Sequence, residues 1–373
     1  MMLQLLWLLD KTDGSSNTVA TLQKVEGLLN MLNKFRINPL ADYVFGMMDS
    51  TFTSVLALDA VETDEALARK LLDLIFKHRK LQPGHKCERK PCQQCYALHL
   101  EKLHYFIQKQ APIQLVLPAF PAKSPSPDKV LGPLPDLGEE LALQNLQQLC
   151  NQIQDLYAPG AEMAICADGR VFSDLVLVSD ADVSAYTKAL NGLIQQHDLH
   201  SLRVINLENL LPGQSFEAAR ELLVEQYARP LPELREEVKT VEHRQRLFNG
   251  LHRFITEDQR SFYPQLSNTQ YKKHTSEVAL QVMQRSDAWG AMLNRFFPQA
   301  LRLSIHPQHP HSPKIGIHLT KASSNWITPW HGVVVLHPEN GYVLQKKQDA
   351  VRSGATLMYN NEQPYYYTLE DNA

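Results

Sequence analysis

The sequence lacks a glycine-rich nucleotide cradle. Neither G-x-G-x-x-G nor G-x-x-x-x-G-K-S/T occurs in its 373 residues, so the usual dinucleotide and P-loop readings do not apply. Charge of one sign is missing as well. Basic residues number 37 against 40 acidic, a formal net charge of -3, so no basic face is implied and nucleic acid is not an expected partner. Cysteine is scarce. The five are Cys87, Cys92, Cys95, Cys150 and Cys166, an odd number with three clustered, unlike a secreted disulfide framework. A cytoplasmic protein is expected. Long apolar runs are also absent. Met1 to Leu9 is too short to cross a bilayer. It has no preceding basic residue and no small-x-small cleavage site, so it reads as the start of a docked helix or strand rather than a signal. No repeat of about 20–50 residues is apparent, which argues against a solenoid.

What is present falls into three regions. Residues 1–108 read as helical: Leu22, Val25, Leu28, Leu29 and Leu32 share a face by their three- and four-residue spacing. Thr63-Asp64 then caps the amphipathic stretch EALARKLLDLIFKHRK, which Pro83-Gly84 ends. Residues 109–230 alternate strand and helix: a strand at Ile113–Leu117, a helix at Leu137–Tyr157, and a strand at Glu162–Ala167. A helix capped by Asp180, a strand at Leu202–Leu207 and a helix at Ser215–Ala228 follow. That order predicts right-handed crossovers and a parallel sheet. Residues 231–373 begin with charged helix, Pro232 to Arg260, in which Arg253 and Asp258 are candidates to point inward. A helix at Thr275–Phe297 and several short strands complete the chain. The expected fold is α/β: a Rossmann-like, mostly parallel sheet with flanking helices, a helical N-terminal region and a mixed C-terminal part.

Two stretches stand out chemically. The first strand stops at Pro118 and feeds a loop with five further prolines, Pro121, Pro125, Pro127, Pro133 and Pro135, and with Lys123, Ser124 and Lys129. Proline stiffens such a loop, and a stiff cationic loop leaving a buried strand is where open α/β sheets bind ligands. The alternative is a plain surface connector. Parallel strands would bring Lys123 and Ser124 near Asp168, Arg170, Ser173 and Asp174. The second stretch, GHKCERKPCQQCYALH, offers Cys87, Cys92, Cys95 and His99 within 13 residues, a spacing that a tetrahedral structural zinc accepts. His85 is an alternative fourth ligand, and free thiols in a surface loop are the competing reading.

A further cluster lies near the C-terminus. Arg302, Ser304 and His306 alternate along one strand and so share a face. Lys314 opens the next strand, and Trp330-His331 precedes the apolar run Gly332–Leu336. His309 and His311 stand among prolines and read as part of a solvated turn. Each candidate has a structural alternative. Lys123 bonds loop carbonyls, Asp168 caps the turn after it, Arg302 sits in an ion pair, or His331 is a satisfied core histidine.

The segments LPAFPAKSPSPDKVLGPLPD, ICADGRVFSDL, QRSDAW, RLSIHPQ, KIGIHL and TPWHGVVV together resemble the pyoverdine/dityrosine biosynthesis family, in its bacterial isonitrile synthase branch. The resemblance implies an enzyme that joins the α-amine of tyrosine or tryptophan to ribulose 5-phosphate, whose C2 becomes the isonitrile carbon. It implies no redox cofactor for catalysis, and a product passed to an Fe(II)/2-oxoglutarate-dependent oxygenase. Asp168, Asp174, His306 and His331 are then the expected acids and bases, the Asp168 carboxylate taking protons and the His331 imidazole delivering them. Lys123, Ser124, Arg170, Ser173, Arg302, Ser304, Lys314 and Trp330 are the expected substrate contacts, with Lys123 foremost for the phosphate. Two alternatives stand beside this: a dityrosine-type enzyme that forms N-formyl tyrosine, and a non-catalytic phosphosugar- or amino-acid-binding protein.

Overall fold

The computed structural model describes residues 63–84 and 86–370. The expected N-terminal helix around Leu22–Leu32, the Met1–Leu9 segment and the alternative ligand His85 lie outside the described residues. Helix α1, Asp64–Lys77, has acidic residues in its first turn and Lys77 in its last, which complements the helix dipole. Its buried side chains Ala68, Leu71, Leu72, Ile75 and Phe76 recur at helical spacing. Helix α2, Gln93–Gln108, follows the cysteine-containing segment.

Strand β1, Ile113–Pro118, carries the alternation that organises the core. Ile113, Leu115 and Leu117 face one apolar cluster, shared with α1, α2, helix α3 (Leu137–Leu156) and the strand β2 (Ala161–Cys166). Val116 faces the other way, into a second cluster. Burying each such aliphatic side chain stabilises the fold by roughly 1.5–3 kcal/mol. After β2 come α4 (Gly169–Val176), α5 (Asp180–Gln196) and β3 (Leu202–Ile205). Ser179, one residue before the expected Asp180, caps α5 by accepting from the Asp182 amide.

Helices α6 (Phe216–Tyr227), α7 (Leu231–Thr240), α8 (Glu242–Gln259) and α9 (Asn268–Phe296) follow. Helix α9 starts seven residues earlier than its apolar pattern suggests, because Ser267 and Gln270 form a capping box there. Strands β4 (Leu301–Ser304) and β5 (Lys314–Gly316) then join the first three. The sheet order is β3-β2-β1-β4-β5, every pair parallel. A second, mixed sheet has the order β7-β6-β9-β8, from β6 (Val333–His337), β7 (Gly341–Gln345), β8 (Thr356–Asn360) and β9 (Gln363–Thr368). The short α10, Lys347–Arg352, links β7 to β8.

The chain runs outward from β1 to β2 and β3, then returns to β1's other side as β4. The C-terminal ends of β1 and β4 therefore form a topological switch point, the crevice in which such sheets bind ligands. Two glycines let the backbone close around it. A Cβ on Gly169 would lie 1.7 Å from the Pro121 carbonyl oxygen, and one on Gly316 would lie 2.3 Å from that of Lys80. Among the described residues, no helix is long and apolar enough to cross a membrane.

Candidate active site

Arg302 sits in β4 beside Val116 of β1 and Lys314 of β5. Leu301 and Leu303 enter the core on the α1–α3 side, so the pleat turns Arg302 to the opposite face. It is 5 % exposed, and its Nε and Nη1 have no hydrogen-bond partner among the described residues. The charges that bear on it are cationic, Lys102 and Lys314, apart from the Cys166 thiol. Buried guanidinium groups are ordinarily paired, because an unpaired one costs several kcal/mol. On the same face, Trp289 of α9 is buried with its indole Nε1 also unpartnered. Both are donors without an acceptor on that face of the sheet, the complement of an oxyanion.

Asp168 leaves β2 at the neighbouring strand end. It occupies the N-cap position of α4, yet its side chain makes no capping bond, which disposes of the capping alternative. Its Oδ1 is buried without a partner, and burial pushes its pKa up to about 7. A carboxyl group in that state exchanges protons near neutral pH.

Two histidines are the other candidates for proton transfer. His331 closes the short helical turn Pro329–His331. Thr328 Oγ1 lies 3.1 Å from its Nδ1, which leaves Nε2 for chemistry, and Phe254 of α8 packs edge-on at 4.5 Å between ring centroids. Burial, then Lys129, Lys123 and His306, lower its pKa to about 3. His306 reaches solvent on one side, but surrounding protein, Lys80 and Lys314 push its pKa down to about 4. Both imidazoles are therefore neutral at pH 7 and start as bases, while Asp168 is the group that carries an available proton.

Several expected contacts face elsewhere. Lys123 is buried at 3 % exposure, and its ammonium meets Asp136 at 2.7 Å, Glu139 at 2.7 Å and the Pro329 carbonyl at 3.0 Å. Burial opposes its charge, but the two carboxylates outweigh that and raise its pKa. All three of its donors are engaged, so it fastens the Pro-rich loop to the start of α3 and to the turn before His331. Ser124 donates to Asp258 of α8, which points inward as anticipated, and Lys129 pairs with the same carboxylate. Arg170 is spread over the Asp180 carboxylate and carbonyl and Ser184, with its guanidinium over the Phe216 ring. Ser173 donates to Asp180 as well, and Asp174 forms a bidentate pair with Arg285 of α9. Trp330 packs into the core against Phe120. Ser304 Oγ accepts from the His306 amide and shapes the turn after β4. Lys314 is exposed, beside Arg302 in register. The α4 residues and Trp330 are thus engaged in contacts within the fold.

The cysteine cluster forms, with a different histidine. Cys87, Cys92, Cys95 and His311 offer ligand atoms all within 4.8 Å of one another. Cys92 and Cys95 sulfurs lie 3.7 Å apart, and His311 Nε2 lies 3.2 Å from Cys92 Sγ and 3.8 Å from Cys87 Sγ. A tetrahedron with metal–sulfur bonds of about 2.3 Å has sulfur–sulfur edges of about 3.8 Å, so the group can hold a metal such as zinc. His99, the expected fourth ligand, is instead buried on α2 with its ring edge-on to Phe76. His311 does not stay in a solvated turn. It closes the set because the β4–β5 connection is pinned to the segment after α1, where the Lys80 carbonyl accepts from the Gln308 amide and the Gln308 carbonyl from the Gln82 amide.

Sequence reasoning missed Lys80 and Trp289. Lys80 reads as one more cation in a basic helix end, and nothing local marks it. Trp289 belongs to the QRSDAW segment, whose pattern drew attention without revealing which side chain faces the sheet.

The chain is similar to known proteins over most of its length. Residues 103–358 match the family model described as pyoverdine/dityrosine biosynthesis protein. The chain is 42 % identical over 306 residues to an L-tryptophan isonitrile synthase of Fischerella ambigua, covering 82 % of this chain and 96 % of that one. It is 41 % identical over 317 residues to an L-tyrosine isonitrile synthase of Pseudomonas aeruginosa, covering 83 % and 96 %. The crystal structure of the PvcA protein of Pseudomonas aeruginosa superposes with a TM-score of 0.76 at 40 % identity, covering 81 % of this chain and 99 % of that one.

Proposed function

The chain belongs to the pyoverdine/dityrosine biosynthesis protein family, among its isonitrile synthases, and from that premise we propose that it converts the α-amine of L-tryptophan or L-tyrosine to an isonitrile with ribulose 5-phosphate as carbon source. The observation that carries the sugar phosphate is the buried, unpaired Arg302 guanidinium at the switch point, with Lys314 beside it. A phosphate dianion supplies the acceptors that these donors lack.

Addition of the amine to the C2 ketone needs a proton removed from nitrogen and one delivered to oxygen. Neutral His331, or His306, takes the first. Asp168, protonated for a large fraction of the time at pH 7, delivers the second. Lys123 acts at one remove by holding the Pro329 carbonyl, two residues before His331. The product then passes to an Fe(II)/2-oxoglutarate-dependent oxygenase. The metal of the Cys87/Cys92/Cys95/His311 group is zinc and serves stability, tying the loop that carries His306 to the segment after α1.

The test is an incubation of purified protein with either amino acid and ribulose 5-phosphate labelled with carbon-13 at C2, read by mass spectrometry and carbon NMR. A labelled isonitrile is expected. A formamide, heavier by one water, assigns the chain to the dityrosine-type reaction, and the absence of any product refutes an enzymatic role on these substrates.

A further inference from the structure

A reaction between an amino acid and a sugar phosphate brings two anions to one crevice, and Arg302 with Lys314 accounts for one. A second buried cation lies on the other side of β4. Lys80 follows α1, which packs on the face that holds Leu301 and Leu303, and it is 6 % exposed. Among the described residues its ammonium makes one hydrogen bond, from Nζ to the Ile305 carbonyl 3.0 Å away, and no carboxylate pairs with it. An ammonium has three donors, so two remain. Burial lowers its pKa to about 8, and Lys80 itself disfavours protonation of His306 and His318. The neighbourhood is therefore cationic and short of an anion.

A cavity of about 40 Å³ adjoins Lys80, walled by Ile305, His318, Ser324, Thr328 and Pro329. That is room for a carboxylate group, which needs little more than the space of a few water positions. The ring has a neighbouring platform. Trp326, on the loop that also walls the cavity, is 68 % exposed, with its ring 6.2 Å from that of His306.

We propose that Lys80 anchors the α-carboxylate of the amino-acid substrate in this cavity, while Trp326 receives the aromatic side chain. The proposal rests on the isonitrile synthase reading and places the amine beside His306, across β4 from the phosphate.

The experiment compares wild type with Lys80→Met and Trp326→Ala, measuring KM for each substrate and for the carboxamides of tryptophan and tyrosine. Lys80→Met should raise the amino-acid KM about 10- to 100-fold, the effect of one charge-assisted hydrogen bond, and leave that of ribulose 5-phosphate within about twofold. Wild type should favour the acid over its carboxamide by a similar factor, and Lys80→Met should lose that preference. Trp326→Ala, a surface change that cannot compromise the core, should raise the amino-acid KM about 3- to 10-fold, with Trp326→Phe restoring most of it. An unchanged amino-acid KM in Lys80→Met, or an equal loss on acid and carboxamide, overturns the carboxylate contact. An unchanged KM in Trp326→Ala overturns the ring contact. Wild type that makes no isonitrile from either amino acid refutes the parent reading instead.

Discussion

Arg302→Met gives opposite forecasts for stability and for activity, and the pair of outcomes identifies a binding residue. In the ligand-free protein the guanidinium is 5 % exposed with two unpartnered nitrogens and cationic neighbours. Its desolvation is uncompensated, and a methionine of similar length fills the same space without that cost. The variant should therefore be as stable as wild type or more so, with an equal or higher Tm. Catalysis should fall. Two charge-assisted hydrogen bonds at about 1.5–3 kcal/mol each make about 3–6 kcal/mol, which corresponds to roughly a 10²- to 10⁴-fold loss in kcat/KM for ribulose 5-phosphate. The assays are steady-state kinetics with the sugar phosphate varied at saturating amino acid, and thermal unfolding with and without ribulose 5-phosphate. Wild type should gain stability from the sugar phosphate and Arg302→Met should not. A variant that unfolds at lower temperature while keeping wild-type sugar-phosphate kinetics would make Arg302 a structural residue, and the phosphate would need another partner.

Three further outcomes are expected. Asp168→Asn should fold normally, because no capping bond is lost, and should lower kcat about 10²- to 10⁴-fold. The raised pKa of Asp168 means its contribution to stability is present below about pH 4 and lost as pH rises through about 7, so the variant's Tm should gain on wild type between about pH 4 and 7. A constant Tm difference over that range would show that Asp168 does not titrate there. Elemental analysis should find one zinc per chain, retained by His99→Asn and lost by His311→Asn, with a lower Tm on chelation; the opposite pattern would restore His99 as the ligand. Lys123→Met, which strands Asp136 and Glu139 in the interior, should cost about 3–5 kcal/mol in denaturant unfolding, with the ribulose 5-phosphate KM little changed in the folded fraction. A stable variant with impaired sugar-phosphate use would return Lys123 to the phosphate.

Much of the scaffold was legible because it rests on short-range rules. Period-two apolar spacing at Ile113, Leu115 and Leu117 and helical spacing from Ala68 to Phe76 reflect what a strand or helix must bury, and strand–helix alternation left a parallel sheet as the economical topology. The start of α9 was misplaced since Ser267 and Gln270 cap it before any apolar face begins.

The sequence by itself determined the α/β order, the strand ends at which Asp168, His306 and His331 appear, and the pool of cations from which a phosphate site is drawn. Only the tertiary structure decided which cation is free. Lys123, Arg170 and Arg302 are alike as residue types, but Lys123 finds Asp136 and the Pro329 carbonyl, 13 and 206 residues away, and Arg170 finds Asp180, while Nε and Nη1 of Arg302 find no acceptor among the described residues. The fourth metal ligand was settled in the same way, His311 meeting Cys92 across 219 residues while nearby His99 turned into the core. Pairing between side chains depends on distance in space, and in a parallel sheet built from crossovers that distance bears little relation to separation along the chain.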